Sequence, residues 1–184
     1  MIGGSLSSDR LTLDAFGPDD ADLVHAYVDD PELQRFIPVP VPYSRLDAER
    51  YTGKYAAEAA ISPALGLWAI RSEGNLVGAL ELRHEEIGSG DLGYWIGAPH
   101  RGRGLMTEAI GLLTTHCFDV LGLQRLSWQA VAGNAASAIP VQRNGFAFEG
   151  TRRLGLELRD RRVDSWVASL LHTDPREPAT GWPL

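Results

Sequence analysis

Two glycines and two arginines at the start of a helical pattern are the residues with the clearest chemical potential. Arg101, Gly102, Arg103 and Gly104 run directly into an apolar stripe of helical spacing that begins at Leu105. The first backbone N–H groups of a helix have no partner inside it and carry the positive end of its dipole. Glycines leave that main chain accessible, and arginines add permanent positive charge. The sequence therefore predicts a phosphate or pyrophosphate site at this turn.

Two common nucleotide motifs fit this turn poorly. Gly97 to Gly104 matches the glycine spacing of a P-loop, but Arg103 replaces the lysine and Gly104 the magnesium-binding hydroxyl. A dinucleotide fingerprint would place Thr107 at its third glycine and would begin halfway along the chain. A plain strand-to-helix turn, with glycines for geometry and arginines for solubility, remains the third alternative.

The same run resembles motif A of the GNAT superfamily of acyl-CoA-dependent N-acyltransferases, written Gln/Arg-x-x-Gly-x-Gly/Ala. Arg101 to Gly104 fill its last four positions, and Pro99 stands where Gln or Arg is usual. The stretch from Asn134 to Gly150, NAASAIPVQRNGFAFEG, resembles the family signature N-x-x-S-(seven residues)-G-F-x-x-E-G. Short runs at 40–43, 93–95 and 106–109 point to the RimJ/RimL-like branch, whose members acetylate protein N-termini and, in relatives, other amines.

This resemblance covers roughly residues 10–172 and implies acetyl-CoA as the cofactor. By position, Trp95 and Ile96 would bind the pantetheine arm, and residues 101–107 would bind the pyrophosphate. Asn134 would contact the pantetheine arm near the second strand. Arg143 would reach the 3′-phosphate, with a solvated helix arginine as the alternative. The predicted cofactor-binding residues are Trp95, Ile96, Arg101, Gly102, Arg103, Gly104, Leu105, Met106, Thr107, Asn134, Ser137 and Arg143.

Acetyl transfer needs a neutral amine, a polarised thioester carbonyl and a proton for the departing thiolate, but no covalent enzyme intermediate. Many superfamily members take that proton from a tyrosine four residues before the Gly-Phe pair, where this chain has Val141. In RimL-like relatives the serine of N-x-x-S is a proposed substitute, which makes Ser137 the predicted acid. Its alternative role is to serve the first turn of its helix.

The predicted base is Asp91, which stands at the start of a strand where relatives often carry an acid and could act through a water. A solvated aspartate is the alternative interpretation. Glu81 and Glu157 are further candidates for the base. Catalysis by positioning alone also remains open, because the pKa of the amine could suffice.

Periodicity and turn residues predict the elements that position these groups. The helices are expected at about 19–28, at 46–60, from 102 onward, and at 134–143 with Asn134 as N-cap. Residues 36–43 carry prolines and are expected to form an ordered loop or a mobile lid. The strands are expected at 10–13, 67–70, 76–82, 92–96, 126–131, 146–151 and 163–171. The resemblance implies an α/β (α+β) GNAT fold, with a mixed central sheet of six to seven strands, flanking helices and a splayed parallel strand pair.

Composition and net charge limit the number of domains and the classes of partner that the sequence predicts. Its 184 residues, 44% hydrophobic, suit one domain at 10–172 between a flexible leader at 1–9 and a loosely held tail at 173–184. The net charge of −7 argues against nucleic acid, and the absence of a leader and of a long apolar run predicts a cytoplasmic protein that binds no membrane. Cys117 and the strand tryptophans are expected to pack in the core. The histidines lack metal-site spacing, and His100 is expected to face water.

These patterns together predict a soluble acetyl-CoA-dependent N-acetyltransferase. Its acceptor would be a primary amine, on a protein N-terminus or on a small molecule. One alternative is a GNAT-fold sensor or scaffold that binds acyl-CoA without turnover, which the missing tyrosine keeps open. A second alternative is an antibiotic-modifying acetyltransferase, which differs only in its acceptor pocket. A homodimer is compatible with this branch.

Overall fold

A mixed sheet with helices on both faces forms the framework of the protein, which a computed structural model describes over residues 4–184, apart from the side chains at 85 and 86. The strands within these residues are β1 (Leu6–Ser7), β2 (Thr12–Asp14), β3 (Leu65–Ser72), β4 (Asn75–Glu86), β5 (Ser89–Ile96), β6 (Arg125–Val131), β7 (Ala147–Leu158) and β8 (Arg161–Leu171). Their order across the sheet is β1-β2-β3-β4-β5-β6-β8-β7. All neighbours are antiparallel except β5 and β6, which are parallel. The predicted mixed architecture is confirmed, with eight strands rather than six to seven.

Several helical segments begin at residues that satisfy or avoid unpaired N–H groups. Proline stands in the first turn of three short segments, Pro18–Asp20, Pro31–Gln34 and Ala98–His100, and Ser44 forms a capping box with Asp47. The α-helices are α1 (Ala21–Val28), α2 (Pro31–Gln34), α3 (Arg45–Arg50), α4 (Ala56–Ile61), α5 (Leu105–Thr115) and α6 (Ala135–Arg143). A π-helical turn, Tyr51–Tyr55, joins α3 to α4, and another, His116–Val120, extends α5.

Each face of the sheet has its own apolar cluster. Strand alternation sends Leu92, Tyr94 and Ile96 of β5 toward the face covered by α5 and α6, and Trp95 toward the face covered by α1 and α3. Cys117 is fully buried in the first cluster, and burial raises the pKa of its thiol to about 12. The prediction that this cysteine is a core residue is confirmed.

The amino-terminal segment is more ordered than its composition predicts. Leu6 and Ser7 pair with β2, and the carbonyl of Gly4 accepts a 2.9 Å hydrogen bond from the Trp68 indole. Residues 4–7 thus have partners in the sheet where the composition predicts a flexible leader, while residues 1–3 lie outside the described part of the chain. Distant partners supply this order, and the local Gly/Ser composition does not reveal them.

The carboxyl-terminal tail is docked, contrary to the prediction that it is loosely held. The Ala179 amide donates to the carbonyl of Gln142 at 2.9 Å, which fixes the tail to α6. The Trp182 indole donates to the Phe146 carbonyl at 3.0 Å and packs against Trp128. One aromatic anchor and main-chain hydrogen bonds hold a segment whose prolines suggested mobility.

Trp182→Ala is expected to lower the free energy of unfolding by about 2 kcal/mol, because a half-buried indole loses its aromatic contacts and a hydrogen bond. For a domain of this size the melting temperature should fall by about 4–8 °C. Thermal unfolding followed by circular dichroism measures the change. The exposed neighbour Thr180, replaced by alanine, is the matched control and should change the melting temperature little; equal stability of Trp182→Ala would show that the tail docking is energetically neutral.

Candidate cofactor groove and active site

A wedge-shaped opening separates β5 from β6 at their carboxyl ends. The two strands are in register only from Ser89 opposite Arg125 to Leu92 opposite Trp128. Beyond that point β5 continues to Ile96 and β6 to Val131 with no pairing recorded between them among the described residues. The splayed parallel pair implied by the resemblance is confirmed. Unpaired strand edges offer main-chain donors and acceptors to an extended ligand.

The glycine turn follows directly at the same end of the sheet. Gly102 and Gly104 adopt left-handed φ values of 73° and 77°, and a β-carbon placed on either would have open space within 4 Å. Gly104 is the N-cap of α5, which has no side-chain cap, and the first helical bond runs from the Glu108 amide to the Gly104 carbonyl at 3.1 Å. The amides of Leu105, Met106 and Thr107 therefore lie at an uncapped helix start, as the predicted anion site requires.

Arg101 uses its side chain elsewhere. Its guanidinium donates to Asp30 at 2.6 Å and to Glu32 at 3.1 Å, at the start of α2. Burial alone would raise the pKa of Asp30, but hydrogen bonds from Arg101 and from the Glu32 amide hold it below its usual value. The Arg101 side chain thus braces α2 against the turn rather than adding a free cation to it. Arg103 is exposed, so its positive charge remains available to an anion bound at the turn.

Asn134 and Ser137 lie at the start of α6, as predicted. The Asn134 side chain is buried and accepts a 3.2 Å bond from the Ser137 amide, so the predicted N-cap is confirmed. Within residues 4–184 no hydrogen bond joins the Ser137 hydroxyl to the main chain of its helix turn. Ser137 is half-buried, and its side chain lies beside the Tyr94 hydroxyl.

Tyr94 is a candidate that the sequence reasoning missed. It lies two residues past the last β5–β6 pair, and its hydroxyl donates across the opening to the Ser137 carbonyl at 2.6 Å. Burial raises the pKa of this hydroxyl, against the opposing effect of hydrogen bonds with Ser137 and Trp128. The signal available in the sequence was the alternation of β5, which puts residue 94 on the same face as α6.

Two of the candidate bases, Asp91 and Glu81, lie on the other face of the sheet from Tyr94. Asp91 accepts a 3.2 Å bond from the Ser127 hydroxyl and lies in the paired part of β5, before the opening. Glu81 lies opposite Gly93, closer to the opening, and accepts from Arg83 Nε at 2.5 Å. Glu157 is exposed on the last hairpin, in register with Arg162.

The other predicted positions are spread around α6 and the turn. Val141 is fully buried in the core, so no proton donor lies at that position. Arg143 is exposed at the end of α6, where its neighbour Asn144 donates to the Thr107 carbonyl at 2.9 Å and so ties α6 to the first turn of α5. His100 does not simply face water, because its Nε2 lies 2.9 Å from the Tyr27 hydroxyl.

No helix among residues 4–184 combines the length and apolar character needed to cross a membrane. Within the same residues, no group of three or more His, Cys, Asp and Glu side chains is arranged to hold a metal ion.

Comparison with known proteins gives a family. The profile described as "Acetyltransferase (GNAT) domain" matches residues 10–147. A Bacillus subtilis protein provisionally named ribosomal N-acetyltransferase YdaF is 34% identical over 101 residues, which are 54% of this chain and 55% of that protein, so the match spans about half of that relative. The uncharacterized N-acetyltransferase p20 of Bacillus licheniformis is 25% identical over 171 residues, covering 91% of this chain and 96% of p20. The solved structure of RimL, a ribosomal L7/L12 alpha-N-protein acetyltransferase in complex with coenzyme A, has a TM-score of 0.80 at 20% identity and covers 91% of this chain and 98% of RimL.

Proposed function

The chain belongs to the acetyltransferase (GNAT) family, and we propose that it transfers an acetyl group from acetyl-CoA to a primary amine, with a protein N-terminus as the preferred acceptor. The observation that carries the proposal is the combination of the β5–β6 opening with the uncapped, glycine-lined start of α5 at its edge. The β5–β6 opening suits an extended pantetheine arm with its amide groups, and the start of α5 suits a diphosphate. Acetyl-CoA has both parts in one molecule.

The residues present fit this substrate. The main chain at Gly102 and Gly104 and the first amides of α5 would hold the diphosphate, and the unpaired edge at Trp95 and Ile96 would bind the arm. Since the Asn134 oxygen already caps α6, its amide N–H groups are what remains for the arm. Arg143 and Arg103, both exposed, would add charge near the phosphates.

The reaction then needs little from the protein beyond positioning. The amine nitrogen attacks the thioester carbonyl, the C–N bond forms, the C–S bond breaks, and the ammonium proton leaves while the sulfur departs as a thiolate. The Tyr94 hydroxyl, which donates its one proton to the Ser137 carbonyl, and the Ser137 hydroxyl both lie at the opening, and either would stabilise that thiolate by turning its proton toward the sulfur.

The opening suits an acceptor amine that is already partly neutral in solution, because the nearest candidate base is engaged. The Glu81 carboxylate is engaged in an ion pair with Arg83. An α-amino group with a pKa of about 8 is roughly one quarter neutral at pH 7.5, whereas a lysine amine with a pKa of about 10.4 is neutral at about one part in a thousand. The amine at a polypeptide N-terminus therefore suits this site without a dedicated base. The names of YdaF and RimL point in the same direction.

Free-thiol release from acetyl-CoA tests the proposal. A lysine-free peptide with a free N-terminus should give thiol, and the same peptide with a blocked N-terminus should not. Acetylation of the peptide amine is verified by mass spectrometry. Thiol release on an aminoglycoside alone would instead identify an antibiotic-modifying enzyme.

A sensor or scaffold remains the second candidate, because Val141 puts a buried apolar side chain where many relatives carry an acid. Calorimetry separates the two functions. Acetyl-CoA binding without thiol release on any amine would overturn the enzyme proposal in favour of the sensor.

A further inference from the structure

The outer half of the β7–β8 hairpin is unusually basic for an acidic chain. We call residues 151–164 the arginine arm, because Arg152, Arg153, Arg159, Arg161 and Arg162 lie there and all are exposed. The acids on the same stretch are Glu157, Asp160 and Asp164. The arm is therefore net positive, although the protein carries a formal charge of −7.

These arginines also lack the partners that most basic side chains of the protein have. Arg71 pairs with Asp20, and Arg125 with Glu149. By contrast, none of the arm arginines forms an ion pair with a described carboxylate. Arg159 and Arg162 donate to the main-chain carbonyls of Gln34 and Leu154, and Arg162 lies opposite Glu157 in the hairpin register. Arg152, Arg153 and Arg161 have no acidic residue opposite them in that register.

The arm stands at the entrance to the β5–β6 opening. β8 pairs with β6 only as far as Ser165 opposite Val131, so residues 161–164 and their β7 partners extend beyond the carboxyl end of β6. The opening lies at that same end. The 2.8 Å bond from Arg159 to Gln34 brings the tip of the arm to α2, and Arg101 ties α2 to the end of β5. The arm and α2 thus border the route by which an acceptor reaches the opening.

We propose that the arginine arm binds acidic residues that directly follow the acceptor amine of a polypeptide substrate. This inference rests on the proposed acetyltransferase function and specifies its substrate class. An extended chain advances about 3.3 Å per residue, so with its amine in the opening its next few residues would run along the arm. Uncompensated arginines attract carboxylates and raise the encounter rate of acidic chains.

Three lysine-free peptides with the same first residue test the proposal, with acidic, neutral or basic residues at positions two to six. The acidic peptide should have about tenfold higher kcat/KM than the neutral one at low salt, since three exposed ion pairs contribute about twofold each. The preference should shrink at high salt, because exposed charges are screened. The triple variant Arg152→Gln/Arg153→Gln/Arg161→Gln should lose the preference while its rate with the neutral peptide stays the same.

A matched triple variant controls for net charge. Arg45→Gln/Arg50→Gln/Lys54→Gln removes three exposed positive charges from α3 and its π-helical extension and should keep the preference. Fluorescence anisotropy of the labelled acidic peptide provides a readout without turnover, so failure of catalysis and failure of the arm remain distinguishable. Equal binding of acidic and neutral peptides overturns the proposal, and so does tighter binding of a single-stranded oligonucleotide than of the acidic peptide.

Discussion

Replacing Gly104 by valine is expected to weaken acetyl-CoA binding by about 100-fold. Gly104 has a φ of 77° at the uncapped start of α5, a conformation that costs an L-residue about 1–2 kcal/mol. The valine must either keep this strain with its side chain in the path of the diphosphate or relax and turn the loop amides away. Hydrogen bonds to a charged group contribute about 1.5–3 kcal/mol each, so losing one or two accounts for the change. Isothermal titration calorimetry with acetyl-CoA measures it.

Gly122→Val separates backbone strain from anion binding. Gly122 has a φ of 68° and open space around a β-carbon, but it lies beyond the opposite end of α5. Both variants should lose similar thermal stability, and only Gly104→Val should lose affinity. If acetyl-CoA binds the two variants equally well, the glycine turn is a structural feature and the proposed phosphate site is in another place.

Local sequence chemistry predicts features whose causes are local. The residues between β3 and β4, Ser72-Glu73-Gly74-Asn75, are typical turn formers, and Gly74 adopts a φ of 79°. The glycine turn and its helix start were predictable for the same reason. The splay of β5 from β6 was different, because it depends on where two strands separated by a helix stop pairing. Only the resemblance to a family, and not periodicity, could predict it.

Long-range partners account for the contacts that local patterns did not indicate. Arg101 looked like a donor for an anion, yet its guanidinium binds Asp30, 71 residues earlier in the chain. The tail looked mobile, yet Trp182 packs on Trp128 and Phe148. Tyr94 was assigned no chemistry, because the Ser137 carbonyl that it meets is brought to it by the fold. Electrostatic and aromatic partners that are distant in sequence leave no local pattern.

Tyr94→Phe is expected to lower kcat by about 100-fold while the dissociation constant of acetyl-CoA changes little. The Tyr94 hydroxyl is a half-buried donor at the opening, held there by the Ser137 carbonyl, and loss of one donor to a developing negative charge costs about 10²–10³ in rate. Because burial raises its pKa, the hydroxyl stays protonated through neutral and mildly basic pH, so the wild-type activity should show no loss from its ionisation in that range. Steady-state kinetics from pH 6 to 9 and calorimetry measure the two quantities.

Tyr27→Phe is the matched control, since it removes a half-buried hydroxyl whose hydrogen-bond partner is His100 rather than Ser137. It should leave kcat within about threefold of wild type, as expected for a neutral hydrogen bond outside the reaction. Ser137→Ala decides between the two hydroxyls that meet at α6. If that variant loses most of the activity while Tyr94→Phe keeps it, the Ser137 hydroxyl is the donor to the thiolate and Tyr94 only braces α6. A large loss of activity in Tyr94→Phe with intact acetyl-CoA affinity and thermal stability excludes the bracing role. A displaced α6 would also disturb Asn134 and so weaken the binding of the pantetheine arm of acetyl-CoA.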